Sequence, residues 1–142
     1  MSLFSSLSVS ASGMAAQRMR AELLVENMAN AETTRTPEGG PYRRKDTVFT
    51  SDTVGTDFSS ILADEFGQGV SVERIITDER EPEKRYLPGH PDADPEGYVA
   101  FPRINPAEDM VDLMGASRGY QANVAAIGAV KDMIHRSIEL LR

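Results

Sequence analysis

Residues 105–142, NPAEDMVDLMGASRGYQANVAAIGAVKDMIHRSIELLR, decide the fold of this chain. The stretch opens on Asn105-Pro106-Ala107-Glu108: asparagine caps free amides, proline is pre-set for the first helical turn, and Glu108 stands where a capping box places its acid. From there positions 113, 117, 120, 124, 127, 131, 134, 138 and 141 follow alternating four-three spacing, and seven of the nine are apolar: Leu113, Tyr120, Val124, Ile127, Ile134, Ile138 and Leu141. That is a coiled-coil seam interrupted by Ser117 and Lys131 on a helix about 55 Å long at ~1.5 Å per residue. Gly115, Gly119 and Gly128 lie inside it, each costing up to ~1 kcal/mol relative to alanine, so packing rather than propensity has to hold the helix. A neighbouring stripe of Gly119, Ala126, Val130, Met133 and Leu140 offers small residues for close approach. The helix therefore has two packing faces, one expected to take a helix of its own chain and one a different subunit.

The partner helix is at the other end of the chain. In residues 3–30, Leu7, Met14, Ala21 and Met28 recur every seven positions, with Leu3, Ala11 and Val25 between them and Arg18 as the exception. The pattern predicts one amphipathic helix of about 25 residues, roughly 40 Å long. Its serine-rich first ten residues have weak helix propensity and are expected to order against a neighbour, with ordinary fraying as the alternative.

Between the helices the character changes. Residues 31–104 hold seven of the eight prolines and carry nine basic against fifteen acidic side chains, which is most of the net charge of −7. Short strands are predicted at Thr47-Val48-Phe49-Thr50, at Val70 to Ile76 and at Tyr98-Val99-Ala100-Phe101. Asp78 to Arg85 and Pro88 to Pro95 have loop composition. The fold class is thus mainly α with a small β-rich insertion. Residues 1–30 with 105–142 form a helical core domain paired as an antiparallel coiled coil, and 31–104 a proline-rich, acidic middle segment.

Composition excludes several functions. Only 6% of the chain is aromatic and there is no tryptophan, so one large core is not expected. The net charge of −7 disfavours nucleic acid. No cysteine is present, which removes disulfides, thiolate chemistry and cysteine-ligated zinc. No basic residue precedes Arg18 and serines break every early apolar run, so neither a secretory signal nor a membrane span is predicted. His90 and His135 lie in unrelated contexts and read as structural or solvated; no metal, cofactor or catalytic residue is expected. Gly67-Gln68-Gly69 reads as a turn, and Asp64-Glu65 with Glu79, Glu81 and Glu83 as solvated faces rather than a glycosidase pair. Arg43-Arg44-Lys45 beside Tyr42 reads as a cross-subunit salt-bridge patch, with a solvated loop as the alternative.

Asn27-Met28-Ala29-Asn30-Ala31-Glu32-Thr33-Thr34 resembles the signature that ends the first helix in bacterial flagellar rod and hook proteins, the axial protein family. Asn27, Asn30 and Thr33 would close the helix by satisfying its last carbonyls and the following amides. Residues 35–44 and Glu96-Gly97-Tyr98-Val99-Ala100-Phe101-Pro102 resemble its proximal-rod members. Ala116-Ser117-Arg118-Gly119-Tyr120-Gln121-Ala122-Asn123 is similar to the family's Ser-Arg-X-Tyr-Glu-X-Asn motif, with Gln121 where glutamate is usual. The resemblance implies a structural, non-enzymatic subunit of the flagellar rod crossing the periplasm, exported by the flagellar type III apparatus without a cleaved signal. It would form a helical homo-oligomer and contact other proximal rod proteins, distal rod proteins and the adaptor to the inner-membrane ring. The expected self-assembly interface comprises Leu7, Met14, Val25, Met28, Leu113, Ser117, Arg118, Tyr120, Asn123, Val124, Ile127, Ile134, Ile138 and Leu141. A helical-hairpin export chaperone or adaptor is the alternative reading.

Overall fold

A computed structural model describes residues 3–51 and 69–140. Two long helices, α1 (Leu3–Ala29) and α2 (Pro106–Leu140), frame four short strands: β1 (Lys45–Ser51), β2 (Val70–Thr77), β3 (Glu83–Tyr86) and β4 (Tyr98–Phe101). The class is the expected one, mainly helical with a small β insertion. α1 is helical from Leu3, including its serine-rich start, where Ser5 and Ser10 are buried.

The capping signal before α2 works through Asn105, whose Oδ1 accepts from the Ala107 amide at 3.1 Å. The reciprocal arm predicted for Glu108 is not made among the described residues; its side chain is exposed.

The strands form two separate antiparallel ribbons. In the first, Lys45 opposes Thr77 and Ser51 opposes Val70, with a bulge between Val48 and Phe49 that leaves Glu73 without an opposite residue. Backbone pairing extends one step further, the Asp78 amide donating to the Arg44 carbonyl at 2.8 Å. In the second, Glu83 opposes Phe101 and Tyr86 opposes Tyr98.

β3 corrects the loop expected at 78–85. All four of its side chains are exposed, so no hydrophobic alternation marks it, and the strand rests on its ladder with β4 and on ring contacts. Tyr86 meets Tyr98 edge-on at 5.4 Å, and the Arg85 guanidinium lies 4.9 Å from the Phe101 ring centre. Gly97 makes the turn possible: its φ is +87°, and a Cβ there would fall 2.9 Å from the Tyr86 ring.

The loop between β3 and β4 is also more than solvated chain. Asp92 accepts from the Thr34 hydroxyl at 2.8 Å and pairs with Arg35 at 3.5 Å, and its amide donates to His90 Nδ1 at 3.1 Å. Residues 88–95, which have loop composition in the sequence, are thus clipped through Asp92 to the turn after α1.

The buried apolar side chains are few and small: Ala16, Leu23, Leu24, Ala116 and Val130 on the helices, Val99 and Phe101 on β4. No single large core forms among the described residues, in keeping with the scarcity of aromatics.

Candidate functional site

α1 and α2 lie antiparallel, and three close approaches fix their register. A Cβ on Gly13 would lie 3.0 Å from the Asn123 amide and one on Gly119 3.2 Å from Gln17, while Arg20 bonds Asp112 at 3.3 Å. Each step up α1 is a step down α2. On this register residue 133 of α2 lies opposite the described start of α1, and residues 135–140 run past it, all exposed.

The residues of α2 that are not exposed are Asp109, Asp112, Leu113, Ala116, Gly119, Asn123, Ile127, Val130 and Ile134. They follow the three-and-four spacing of a packed helix, but the stripe matches neither expected one. Of the predicted seam it keeps Leu113, Ile127 and Ile134, which are half-buried. Ser117, Tyr120, Val124 and Ile138 are exposed, as is Arg118, and Leu141 lies outside the described residues. Of the second stripe it takes Gly119 and Val130, leaving Ala126, Met133 and Leu140 exposed. Gly119 alone of the three helix glycines meets a neighbour; Gly115 and Gly128 face open space.

α1 is displaced in the same way. Leu7, Met14, Ala21 and Met28 are half-buried and Val25 is exposed, whereas the buried line runs through Ser10, Ala16, Leu23, Leu24 and Asn27. The physical reason is side-chain size: where the helices come closest, at Gly13 and Gly119, small residues are what the approach needs, and several larger apolar side chains such as Val25, Tyr120 and Val124 lie to the flanks. A hydrophobicity pattern follows the large residues and so misplaces the seam.

The three helix-exit residues divide into two roles. Asn30 lies at the end of α1: its amide group donates to the Glu26 carbonyl at 2.9 Å, and Thr33 donates to its Oδ1 at 3.2 Å. Asn27 does something else. Fully buried, it holds the start of β1, donating to the Lys45 carbonyl at 2.8 Å and accepting from the Lys45 amide at 3.0 Å and from the Tyr42 hydroxyl at 3.0 Å. The side-chain amide thus pairs with a strand as another strand would, joining α1 to the middle segment.

Beside it Arg44 reaches α2. Its Nη2 lies 3.0 Å from Oδ1 of Asp109, a carboxylate with 0% exposure, and its Nε donates to Asp46 at 3.2 Å. Neither Asp109 oxygen accepts an aligned hydrogen bond among the described residues, so the Arg44 charge is its only compensation. Burial pushes the Asp109 carboxyl above the ordinary range, Arg44 opposes this, and Asp46, Asp112 and Glu108 add to it. Lys45 completes the cluster through Glu26 at 2.6 Å, and burial of Tyr42, aided by Glu26, pushes its phenol up to about 12.

Asn27, Tyr42, Arg44, Lys45 and Asp109 therefore form one clasp binding both helices to β1. Sequence reasoning had Asn27 and the 42–45 run in view as separate motifs. Asp109 carried no signal, because an acid in the first turns of a helix is ordinary.

No group of three metal-ligating side chains occurs among the described residues, and no described helix is long and apolar enough to cross a membrane. His90 packs 6.4 Å from Phe101 and His135 is exposed. Gln121, which departs from the motif, is exposed. Gly67-Gln68 and Asp64-Glu65 lie outside the described residues. What the helices present instead is apolar surface: Val25, Tyr120, Val124, Met133, Ile138 and Leu140 are all exposed.

Comparison with known proteins places this architecture. Residues 96–140 match the family model described as Flagellar basal body rod FlgEFG protein C-terminal. The whole chain is 39% identical to the flagellar basal-body rod protein FlgC of Borreliella burgdorferi, covering 100% of this chain and 99% of that one. It is 41% identical to the protein of the same name from Bacillus subtilis, over 99% of both chains. Against that from Salmonella typhimurium it is 34% identical, over 99% of this chain and 98% of the other. With likeness of this degree running from end to end, the chain belongs to the FlgC family of flagellar basal-body rod proteins.

Proposed function

We propose that this rod protein polymerises through its two terminal helices into the proximal part of the flagellar drive shaft and passes torque outward to the distal rod and hook. One observation carries the reading. The helix pair buries few large apolar side chains and leaves several outside, with Val124 46%, Ile138 59% and Leu140 88% exposed. A hairpin meant to act alone would turn those side chains inward, since each gains about 1.5–3 kcal/mol on full burial. In a tube of stacked helices they find partners on neighbouring subunits.

The expected assembly interface comprises Leu7, Met14, Val25, Met28, Leu113, Ser117, Arg118, Tyr120, Asn123, Val124, Ile127, Ile134, Ile138 and Leu141; of these, Val25, Ser117, Arg118, Tyr120, Val124 and Ile138 are exposed on the isolated chain. Partners are further copies, the other rod proteins and the adaptor below them. Delivery is through the flagellar type III apparatus across the periplasm. No enzymatic role is assigned.

Complementation tests the reading. In a strain lacking its own rod protein of this family, the chain is expected to restore swimming and to be recovered in purified basal bodies. Recovery only in the cytoplasm, bound to other export substrates, would replace the rod with the chaperone reading.

A further inference from the structure

The molecule carries a net charge of −7, yet one of its hollows has the opposite sign. It lies where the two ribbons meet, at the start of β1, the end of β2 and the end of β4. Arg43, Arg44, Arg80 and Arg103 line it with a single acid, Asp78. These four arginines are not equivalent. Arg44 is occupied by Asp46 and Asp109, and Arg80 by Asp78, whose two oxygens each accept from its Nε at 2.9 Å. Arg43 and Arg103 are exposed and have no ion pair among the described residues. Asp78 is already committed: Arg80, with a further pull from Arg103, holds its carboxyl down to about 2. Two arginines thus stand in one cleft with no ion-pair partner of their own among the described residues.

The shape of the cleft narrows the ligand. It holds about 90 Å³, the scale of one side-chain head group and well below the space a nucleotide or sugar needs. Pro41, Pro82 and Pro102 form neutral walls, and Tyr42 adds an aromatic one. A second hollow shares Tyr42 and Arg43 with it and continues toward Thr36, so the surface suits an extended chain more than an isolated ion. An arginine fork matches a carboxylate with two parallel hydrogen bonds. The surrounding negative field repels polyanions, which favours a short acidic protein segment over nucleic acid.

We propose that this arginine cleft receives a carboxylate of an acidic segment on an adjacent rod subunit, with Arg43 and Arg103 as the two binding cations. The contact rests on the rod reading and adds to it a site outside the helices, at the junction of the two ribbons. Its role is to fix orientation: buried apolar area between helices tolerates rotation, whereas a two-arginine fork on one carboxylate does not.

The test replaces Arg103 with lysine, and in a second variant Arg43, which keeps the charge and supplies a primary amine. Purified basal bodies containing either variant are treated with a carbodiimide. This joins the lysine amine to a carboxylate in direct contact as an amide, the carboxyl oxygen leaving with the reagent as its urea. Mass spectrometry is expected to find the new lysine bonded to an aspartate or glutamate of another subunit. The paired experiment is Arg43→Glu with Arg103→Glu, expected to lower recovery of the chain in basal bodies by about tenfold, while Arg74→Glu, exposed on β2 and outside the cleft, leaves the cross-link at position 103 in place. Cross-links to Asp78 alone, or none, with normal incorporation of the double variant, overturn the cleft and leave the rod reading intact. Absence of the wild-type chain from basal bodies overturns both.

Discussion

The two ends of the helix pair are built differently. At one end Asn27, Tyr42, Arg44, Lys45 and Asp109 tie α1, β1 and α2 together with hydrogen bonds and a buried ion pair. At the other, residues 135–140 of α2 run past the described start of α1 with every side chain exposed, and Phe4 is 77% exposed. One end is held by polar contacts; the other leaves Phe4, Ile138 and Leu140 exposed among charged neighbours. A subunit that has to hold a defined shape and still join its neighbours can meet both demands by separating them along its length.

Mutations can break that comparison at the clasp end first, where the largest effect is expected. Asn27→Leu leaves the amide and carbonyl of Lys45 and the Tyr42 hydroxyl without their partner, at about 1–3 kcal/mol for each group stranded from water. The isolated chain is expected to lose several kcal/mol in a urea titration followed by circular dichroism. A loss below ~1 kcal/mol would show that water replaces Asn27 easily and that the clasp is ornamental.

Next comes Arg44→Ala, which strands the buried Asp109 carboxylate and is expected to cost about 3 kcal/mol at neutral pH. The sign of its pH dependence is fixed. Asp109 holds its proton more tightly folded than unfolded. Its contribution to stability is therefore fully present below the ordinary carboxylate value and lost as pH rises through the raised folded value. Without Arg44 that folded value rises further, so acidification restores part of the lost stability. Adding Asp109→Asn is expected to flatten the profile. Asp78 runs the other way: with its folded value lowered to about 2, its contribution is present above the ordinary value and lost as pH falls toward it. Urea midpoints for the wild type, Arg44→Ala, Arg44→Ala with Asp109→Asn, and Asp78→Asn across the acid range separate the two groups.

Smaller again is deletion of Gly89 to Asp92, which removes the bonds from Thr34 and Arg35 to Asp92. Thermal unfolding is expected to register about 1–2 kcal/mol, more than an unanchored loop would give. The smallest effect on the isolated chain, within ~0.5 kcal/mol, is expected for Ile138→Asp at the open end. Here the contrast is sharpest, because the same change is expected to abolish swimming. A folded, soluble and fully motile Ile138→Asp strain would show that the overhang is not an assembly surface.

Much of this fold could be read directly. Asn105-Pro106 marks the start of α2 because capping is a local transaction between adjacent residues, and β1, β2 and β4 stand out because β-branched and aromatic residues cluster there. The exact face of each helix was not legible. The seam runs over Ser10, Gly13, Ala16, Ala116 and Gly119, whose small size is a property of the pair and not of either helix alone. β3 was invisible for a related reason, since Glu83, Lys84 and Arg85 enter a ladder whose energy lies in the backbone. At the candidate site, Asn27 was singled out for the wrong partner: a side-chain amide can serve a nearby helix carbonyl or a strand eighteen residues away, and only the fold decides. The Arg44–Asp109 pair joins residues 65 positions apart, beyond the reach of any local pattern.

The exposed strand β3 has a consequence for life before assembly. Two-stranded ribbons leave hydrogen-bonding edges uncovered, and an uncovered edge is a template on which another chain can stitch itself. Glu83, Lys84 and Arg85 place three consecutive charges along this one, and Pro82 stands immediately before it, unable to donate a ladder bond. Copies crowded together before they are built in are thereby kept from zipping edge to edge, and the choice of neighbour is left to the helices.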